Sequence, residues 1–328
     1  MIFLFKGAGV FVWGLSHALG DVSWELHELE SARLLAGSAA MLAQIGYRCC
    51  LGLGPRQTFL GFASGVAMKA LAATTCAPVC VFFQHGLRES ATVPWNPAEP
   101  DAATRSGYFA PCVMREIGLD HVPYFCQFAT GCAGFAFLVA QASAQLISGS
   151  VPGDGLCIMG DSRPEKNTPF DLVRERILGS DHASSFVISR EPVGYQVLGV
   201  NCYSTGRSIV PLVELVTRTG QMIKELAAQL SLEPSLPGLL VHYPNIFPEA
   251  WKMVARSLGH GDEQRVMIDM PERAHCGPSD AVISLAKLHR AEEGRVHVVV
   301  AYGAGIHLGV VMLRETASRG CAEQLSQA

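Results

Sequence analysis

A chain of 328 residues is long enough for two domains, or for one large domain made of two similar halves. With 49% apolar and only 16% charged residues it must bury a large core, including a large self-association surface. A formal net charge of −4 without any Lys/Arg cluster argues against nucleic acid as the main partner, and eleven cysteines with no Cys-x-x-Cys pair suit neither a disulfide framework nor a zinc site.

The N-terminal run MIFLFKGAGVFVWG lacks a basic leader region, and its single Lys6 lies inside the apolar stretch. Residues 2–12 therefore read as a first buried strand and not as a signal peptide. A helical stretch over 31–44 follows, then a loop through Gly46-Tyr47-Arg48 and Gly54-Pro55. The apolar run 61–83 is interrupted by Lys69 and Pro78. It splits into a buried helix at 59–73 and a buried strand at 79–83, and no membrane span is expected. Residues 90–106 carry Pro94, Pro97, Pro100 and Asp101 and read as a surface loop. A short helix at 110–117 precedes a buried strand at 122–128, rich in β-branched and aromatic residues. Residues 133–147 contain no charge, no Pro and no Gly beyond Gly134. That predicts a helix apolar on nearly every face, hence packed inside the protein. Cys132 stands at the turn between this strand and this helix, and a strand at 156–159 closes the first half.

A polar connector at 161–168 opens the second half. Strands are expected at 185–188 and 195–202, an amphipathic helix at 210–230, a strand at 238–242, and helices at 248–258 and 279–289. Strands at 296–302 and 308–313 flank Gly303-Ala304-Gly305. Strands alternating with helical segments predict an α/β sheet fold, with residues 1–170 as one half and 171–328 as the other. Each half places a helix after a buried strand that leads to a reactive residue type, Cys132 in one and His242 in the other, which hints at internal duplication.

Cys132 is walled by Gly131, Ala133 and Gly134, so a substrate carbonyl can approach the sulfur. The start of the helix presents unpaired N–H donors and partial positive charge, which favours a thiolate. The competing reading is a small residue filling a core. His242 ends an apolar strand, where α/β folds assemble sites, and its imidazole can take or give a proton there; a histidine satisfied by its own backbone surroundings is the alternative. Asn245 precedes a helix and reads as its cap. The two glycines at 303 and 305 either aim an N–H at a ligand or make a tight hairpin.

Taken in order, Gly131-Cys132-Ala133-Gly134-Phe135, His242-Tyr243-Pro244-Asn245 and Tyr302-Gly303-Ala304-Gly305-Ile306-His307-Leu308-Gly309 resemble three motifs of the ketoacyl synthase III branch of the thiolase superfamily: its nucleophile region, its His-x-x-Asn motif and its C-terminal glycine-rich turn. Leu178-Gly179-Ser180-Asp181-His182-Ala183 is similar to its Gly-Asp-Gly-Ala segment, and Gly46-Tyr47-Arg48 to its N-terminal Gly-Ile-x-x-Arg motif. The resemblance spans about residues 40 to 315. It implies a thiolase-like five-layer αβαβα fold built from two similar halves. The expected assembly is a homodimer, or a heterodimer with a related ketosynthase-like subunit, in the cytoplasm. It also implies an acyl group carried on Cys132 as a thioester, received from coenzyme A or from the phosphopantetheine of an acyl carrier protein, which would then be a partner. His242 would be the catalytic imidazole, and the backbone N–H groups of Cys132 and Ala304 the oxyanion hole. No bound cofactor and no metal are expected.

The departures from the family pattern carry the most information. Its decarboxylating members have a His-Gly-Asn-Thr-Ser stretch, whose Asn stabilises the enolate left when carbon dioxide departs. The matching residues are His275-Cys276-Gly277-Pro278-Ser279-Asp280, with Gly277 at the Asn position. Losing such a donor costs about 2.7–4 kcal/mol of transition-state stabilisation. Thioester formation does not need it, and decarboxylation does. The reading that follows is an acyltransferase of specialised metabolism that passes its acyl group to an oxygen, nitrogen or carbon nucleophile without obligatory decarboxylation. His182 replaces a family Gly and reads as a surface histidine, with a substitute base as the alternative. Asp280 reads as the start of the next helix, or else as a carboxylate orienting His242. His275 is expected to support the site and not to act in it. A decarboxylating synthase that recruits His275 or His182 as donor is the second reading. A non-catalytic partner subunit is the third, against which the retention of Cys132 and His242 speaks.

Overall fold

A computed structural model of the chain describes residues 1–85, 109–127, 130–163, 168–172, 176–206, 211–236, 238–290, 293–303 and 307–316. The loop expected over 90–106, Phe128, Ala304 and Gly305 lie outside these residues.

The N-terminal apolar run forms two strands and not one. Gly7 and Gly9, at φ 82° and 61°, turn the chain between β1 (Ile2–Leu4) and β2 (Phe11–Leu19), a backbone region that glycine enters without penalty. The helical stretch expected over 31–44 also divides. β3 (Val22–Glu25) leads into α1 (Leu26–Ser31), and α2 (Ala39–Ile45) starts afresh behind Ser38, whose side chain accepts the Met41 N–H. β4 (Cys49–Gly52) pairs antiparallel with β3. Then come α3 (Phe59–Ala72), capped by Thr58, β5 (Cys80–His85), α4 (Phe109–Glu116) and β6 (Tyr124–Gln127). A single 3-10 turn, Gly131–Ala133, feeds α5 (Gly134–Ser148), followed by β7 (Gly155–Asp161). Short strands β8 (Asp171–Leu172) and β9 (Ile177–Leu178) precede β10 (His182–Ser189) and β11 (Tyr195–Ser204). The remainder is α6 (Leu212–Gln229), β12 (Leu240–His242), α7 (Pro248–Ser257), β13 (Arg265–Val266), α8 (Met270–Arg273), α9 (Ser279–Leu288), β14 (Val296–Gly303) and β15 (His307–Glu315).

The strands show the duplication at which the sequence hints. In the order β6-β5-β7-β10-β2, the first two pairings are parallel and the next two antiparallel. In the order β13-β12-β14-β15-β11, the same succession repeats. The two five-stranded halves are spliced by only two residue pairs, Tyr195↔Val12 and Gln196↔Phe11, while β1 adds to β11. The sheet passes from one half to the other between β10 and β11, beyond the division at 170 expected from the sequence.

Three hydrophobic clusters give the layers. α3 and α4 cover the outer face of the first half, with Ala63, Ala67 and Val113 against Val81, Phe83 and Ile158. α6 and α7 cover the outer face of the second, with Ile223, Leu226 and Trp251 against Val241, Val298 and Val310. Between the halves lie α5 and α9, whose Phe135, Leu138, Val139, Val282 and Leu285 meet Phe82, Phe186, Val299 and Val311 from both sheets. Each fully buried side chain of this size stabilises by about 1.5–3 kcal/mol, so the central layer fixes how the halves meet. This is the five-layer αβαβα arrangement. The 18-residue run Gly131–Ser148 is apolar enough to cross a membrane by composition, yet most of it is buried in this central layer. The strand expected to be buried at 122–128 is instead an edge strand, β6, with Tyr124 43% and Phe125 40% exposed. Aromatic content signals a strand, but it does not tell an interior strand from an edge one.

Candidate active site

Cys132 sits in the tight turn that starts the central helix. Gly131 takes φ 52°, and the Ala133 N–H closes the turn on the Thr130 carbonyl at 3.2 Å. Both halves clamp this turn. From the first, the fully buried Gln84 on β5 donates through Nε2 to the Gly131 carbonyl at 3.0 Å and to Thr130 Oγ1 at 3.3 Å. Gly134 leaves room for it, since a Cβ there would stand 2.2 Å from Gln84 Cδ. From the second half, Gly303 presses flat against the turn. A Cβ on Gly303 would lie 2.3 Å from the Thr130 oxygen, 2.8 Å from the Ala133 nitrogen and 3.1 Å from the Cys132 nitrogen. Cys132 itself is half-buried.

The imidazole brought to this thiol belongs to His275. Its Nδ1 donates to Asp280 Oδ2 at 2.6 Å. Its Nε2 is buried and makes no hydrogen bond, and Cys132 lies near enough to act on the ring electrostatically. Burial alone would strip the ring of its proton. The electrostatic pull of Cys132 and of Asp280, with the hydrogen bond to Asp280, outweighs burial and raises the His275 pKa to about 10. Asp280 is itself held as a carboxylate. Burial would raise its pKa, but Arg273 and then His275 hold it well below the usual carboxylate range. It accepts from Arg273 Nη1 through Oδ1, from the Asn245 N–H at 2.9 Å and from the Cys276 N–H at 3.2 Å. Thiol, imidazole and carboxylate thus form a line in the order that nucleophilic catalysis requires, with the base oriented by a third group.

His242, expected to serve the thiol, is hydrogen-bonded to other groups. His242 is 1% exposed at the end of β12, and both ring nitrogens are taken, Nδ1 by Ser284 Oγ at 2.6 Å and Nε2 by His297 Nδ1 at 2.8 Å. His297 in turn reaches Glu315 through Nε2 at 3.3 Å. The network assigns the tautomers: a proton on His297 Nε2 faces the carboxylate, His242 Nε2–H donates to His297 Nδ1, and the Ser284 hydroxyl donates to His242 Nδ1. Burial, then the neighbouring His297, push the His242 pKa well below 6.5, so the ring is neutral and fully engaged. It ties β12 to β14 and α9.

His182 is no surface residue. It is 3% exposed at the first position of β10, between Leu19 of β2 and Asp161 of β7. Its Nδ1 lies 2.9 Å from Ser279 Oγ, which lies 2.8 Å from Ser184 Oγ. A Cβ built on Gly277 would stand 2.6 Å from His182 Nε2 and 3.8 Å from the Cys132 sulfur. Gly277 therefore faces the Cys132 thiol, and the space that a side chain would fill there is bounded by His182. Burial, followed by the positive charge of His275, brings the His182 pKa down to about 3, so it stays neutral.

Asn245 is not a helix cap. The residue before α7 is Phe247, which makes no side-chain cap, whereas Asn245 Nδ2 bridges the Ile268 and Ala274 carbonyls at 2.8 and 3.0 Å. It braces the loop that carries His275. Asp280 does lie in the first turn of α9, but the imidazole it orients is His275 and not His242. The segment Gly179-Ser180-Asp181 stitches the site together: Ser180 N–H donates to the His275 carbonyl, the His275 N–H donates to the Leu178 carbonyl, and Asp181 accepts from the Leu53 and Arg163 N–H groups. Of the two expected oxyanion donors, the Cys132 N–H lies in the turn against Gly303, and Ala304 is outside the described residues. Sequence reasoning missed Gln84, Arg273, Ser279, Ser284 and His297. Among the described residues no group of three or more His, Cys, Asp or Glu is placed to hold a metal ion.

No protein-family model matches the sequence, and no curated protein matches it in a sequence search. Solved structures do match in shape. Against 3-oxoacyl-[acyl-carrier-protein] synthase III from Aquifex aeolicus VF5, the TM-score is 0.75 at 16% identity, covering 93% of this chain and 99% of that one. Against a histidine-to-alanine variant of OleA from Xanthomonas campestris, it is 0.73 at 16% identity, covering 95% and 99%. ChlB3, described as an acyltransferase, gives 0.71 at 16% identity, covering 94% and 98%. The chain thus has the thiolase-like α/β fold of the 3-oxoacyl-acyl-carrier-protein synthase III, OleA and ChlB3 structures, end to end.

Proposed function

We propose that the chain is a cysteine-dependent acyltransferase of the ketoacyl synthase III type, acting in specialised metabolism without obligatory decarboxylation. The observation that carries this reading is the line Cys132–His275–Asp280 at a half-buried thiol. The Cys132 thiolate, paired with the His275 imidazolium, attacks the thioester carbonyl of an acyl-coenzyme A or an acyl carrier protein phosphopantetheine. A bond forms between the Cys132 sulfur and the acyl carbon, and the oxyanion meets the Cys132 N–H, with Ala304 as the expected second donor. The bond to the pantetheine sulfur breaks, and the leaving thiolate takes the His275 proton. In the second step His275, now neutral, removes a proton from the acceptor, which attacks the acyl carbon and releases the Cys132 thiolate beside a restored imidazolium. Asp280 and Arg273 hold the ring in place throughout. Gly277 offers no side-chain donor for a decarboxylation step, and the fold shared with OleA and with the acyltransferase ChlB3 agrees with such chemistry. The exposed edge strand β6 supports a homodimer, or a heterodimer with a related subunit, and the free thiols of every described cysteine support a cytoplasmic setting.

Intact mass after incubation with octanoyl-CoA, or with an octanoyl carrier protein, tests this. Wild-type protein should gain one octanoyl group and Cys132→Ala none. His275→Ala should load about 100-fold more slowly, the low end of what a lost acid–base group costs, while His242→Ala should load within a few-fold of wild type. An adduct that survives in Cys132→Ala refutes the thioester. Loading that is lost in His242→Ala and kept in His275→Ala returns the catalytic role to His242.

A further inference from the structure

Acyl loading and its reversal use Cys132, His275 and Asp280, and leave one imidazole at the site without a task. His182 Nε2 and the Cys132 sulfur flank the same face of Gly277, 2.6 and 3.8 Å from where its Cβ would stand, so the ring nitrogen lies in the immediate neighbourhood of the sulfur. The ring is fixed from behind. When Ser184 donates to Ser279 and Ser279 to His182 Nδ1, the ring proton sits on Nε2, on the side of Gly277 and the sulfur. A neutral imidazole of low basicity makes a poor proton acceptor and a good fixed N–H donor in a water-poor pocket.

Such a donor, additional to the backbone N–H expected to hold the acyl oxygen, matters most for one class of acceptor. An alcohol or an amine attacking the Cys132 thioester must lose a proton from its heteroatom, which His275 provides for, and it gathers no charge on a second oxygen. A carbon acceptor reacts as an enolate, with negative charge on the oxygen next to the reacting carbon. That oxygen needs a hydrogen-bond donor beside the nucleophilic sulfur. We propose that His182 is this donor, supplied from β10 across the gap left open by Gly277, and that the acceptor is a carbon nucleophile carrying a thioester carbonyl. The proposal rests on the Cys132 thioester reading. In the step, the electron pair of the acceptor's α-bond moves into the enolate, whose oxygen is held by His182 Nε2–H. The enolate carbon then bonds to the acyl carbon on Cys132, the carbon–sulfur bond breaks, and the Cys132 thiolate leaves, beside an imidazolium when the α-bond was C–H and beside a neutral His275, reprotonated from solvent, when it was the malonyl C–C bond. The α-bond is either C–H, its proton going to His275, or the C–C bond of a malonyl group, releasing carbon dioxide.

Octanoyl-loaded enzyme chased with malonyl-CoA, with a second portion of octanoyl-CoA, or with hydroxylamine decides the matter. In wild type, one of the two carbon donors should discharge Cys132, and which one does identifies the α-bond that breaks. His182→Ala should still load and should discharge to hydroxylamine within a few-fold of wild type, while discharge to the carbon donor falls about 10²–10³-fold, the cost of one lost oxyanion donor. Joining His182→Gly to Gly277→Asn returns a donor to the same space, because Asn tolerates the φ of 48° at residue 277 better than most side chains; it should recover at least tenfold of the loss. An unchanged carbon discharge in His182→Ala, or an equal fall in the hydroxylamine arm, overturns the donor role. Wild-type acyl-enzyme that an alcohol or amine discharges and neither carbon donor does overturns the acceptor class. A wild type that never loads refutes instead the thioester reading beneath it.

Discussion

His275 holds a proton in a place where burial would remove it, because the Asp280 carboxylate and Cys132 face it. The raised pKa of about 10, against an ordinary 6.5, fixes the direction of its pH dependence. The folded state binds this proton more tightly than the unfolded chain, so the stabilisation is fully present below pH 6.5 and is lost as pH rises through about 10. Chemical denaturation of wild type and His275→Gln across about pH 6 to 10.5 should therefore show the wild-type advantage largest at the acid end and shrinking toward the alkaline end. An advantage that grows with pH would mean that the ring is neutral in the native protein. The residue scale is also where the sequence was least legible. Cys132 and Gly277 could be placed beside each other by motif order, and the structure puts them there. Which partners His242 and His275 take could not be read. The direction of the His242 ring depends on His297, a partner 55 residues away on another strand. The hold on His275 depends on Asp280 being folded back over it by a loop with two left-handed residues, Ala274 and Gly277. His182 was misread for a related reason: its strand begins earlier than its apolar pattern does, and only the pairing with β2 and β7 shows it to be interior.

Among the elements, the turn at Gly131–Ala133 depends on its neighbour strand more than on its own sequence. Gly303 ends β14 flush with this turn, and a methyl group there would overlap the Thr130 oxygen and the Ala133 nitrogen. Gly303→Ala is therefore expected to cost about 1–3 kcal/mol by overpacking and to shift the sulfur from its position. Thermal unfolding and iodoacetamide labelling of Cys132 check both parts; unchanged stability together with unchanged labelling would show that the turn yields freely. Long elements with a single strong signal were readable, such as α3, α5 and the β14–β15 pair. The short ones were not. β3 and β4 pair with each other over four residues, and nothing in Val22–Glu25 or Cys49–Gly52 marks a strand apart from its partner. Likewise the split between α1 and α2 is made by Ser38 capping the second helix, inside what reads by composition as one run.

Across the whole molecule, two halves with the same succession of parallel and antiparallel pairings enclose α5 and α9. Alternating strands and helices made the fold class legible, and the motif order made the layer count legible. The unequal exposure of the two outer strands was not legible, since Tyr124 and Phe125 are the aromatic residues one would place inside. Their exposure on β6 supports an interface along this edge. Light scattering should find wild type as a dimer, alone or with its sister subunit, and Phe125→Glu should shift it toward monomer; a variant that stays dimeric would place the interface elsewhere.

The thiol and its imidazole come from different halves of the fold, Cys132 from the first and His275 from the second. On the ribosome, the first half emerges while His275 has yet to be made, and its cysteine has no proton partner to sharpen it. If Cys132 carries the acyl group as proposed, its sulfur meets its imidazole only when the last third of the polypeptide has folded over it, so the timing of reactivity follows from chain order.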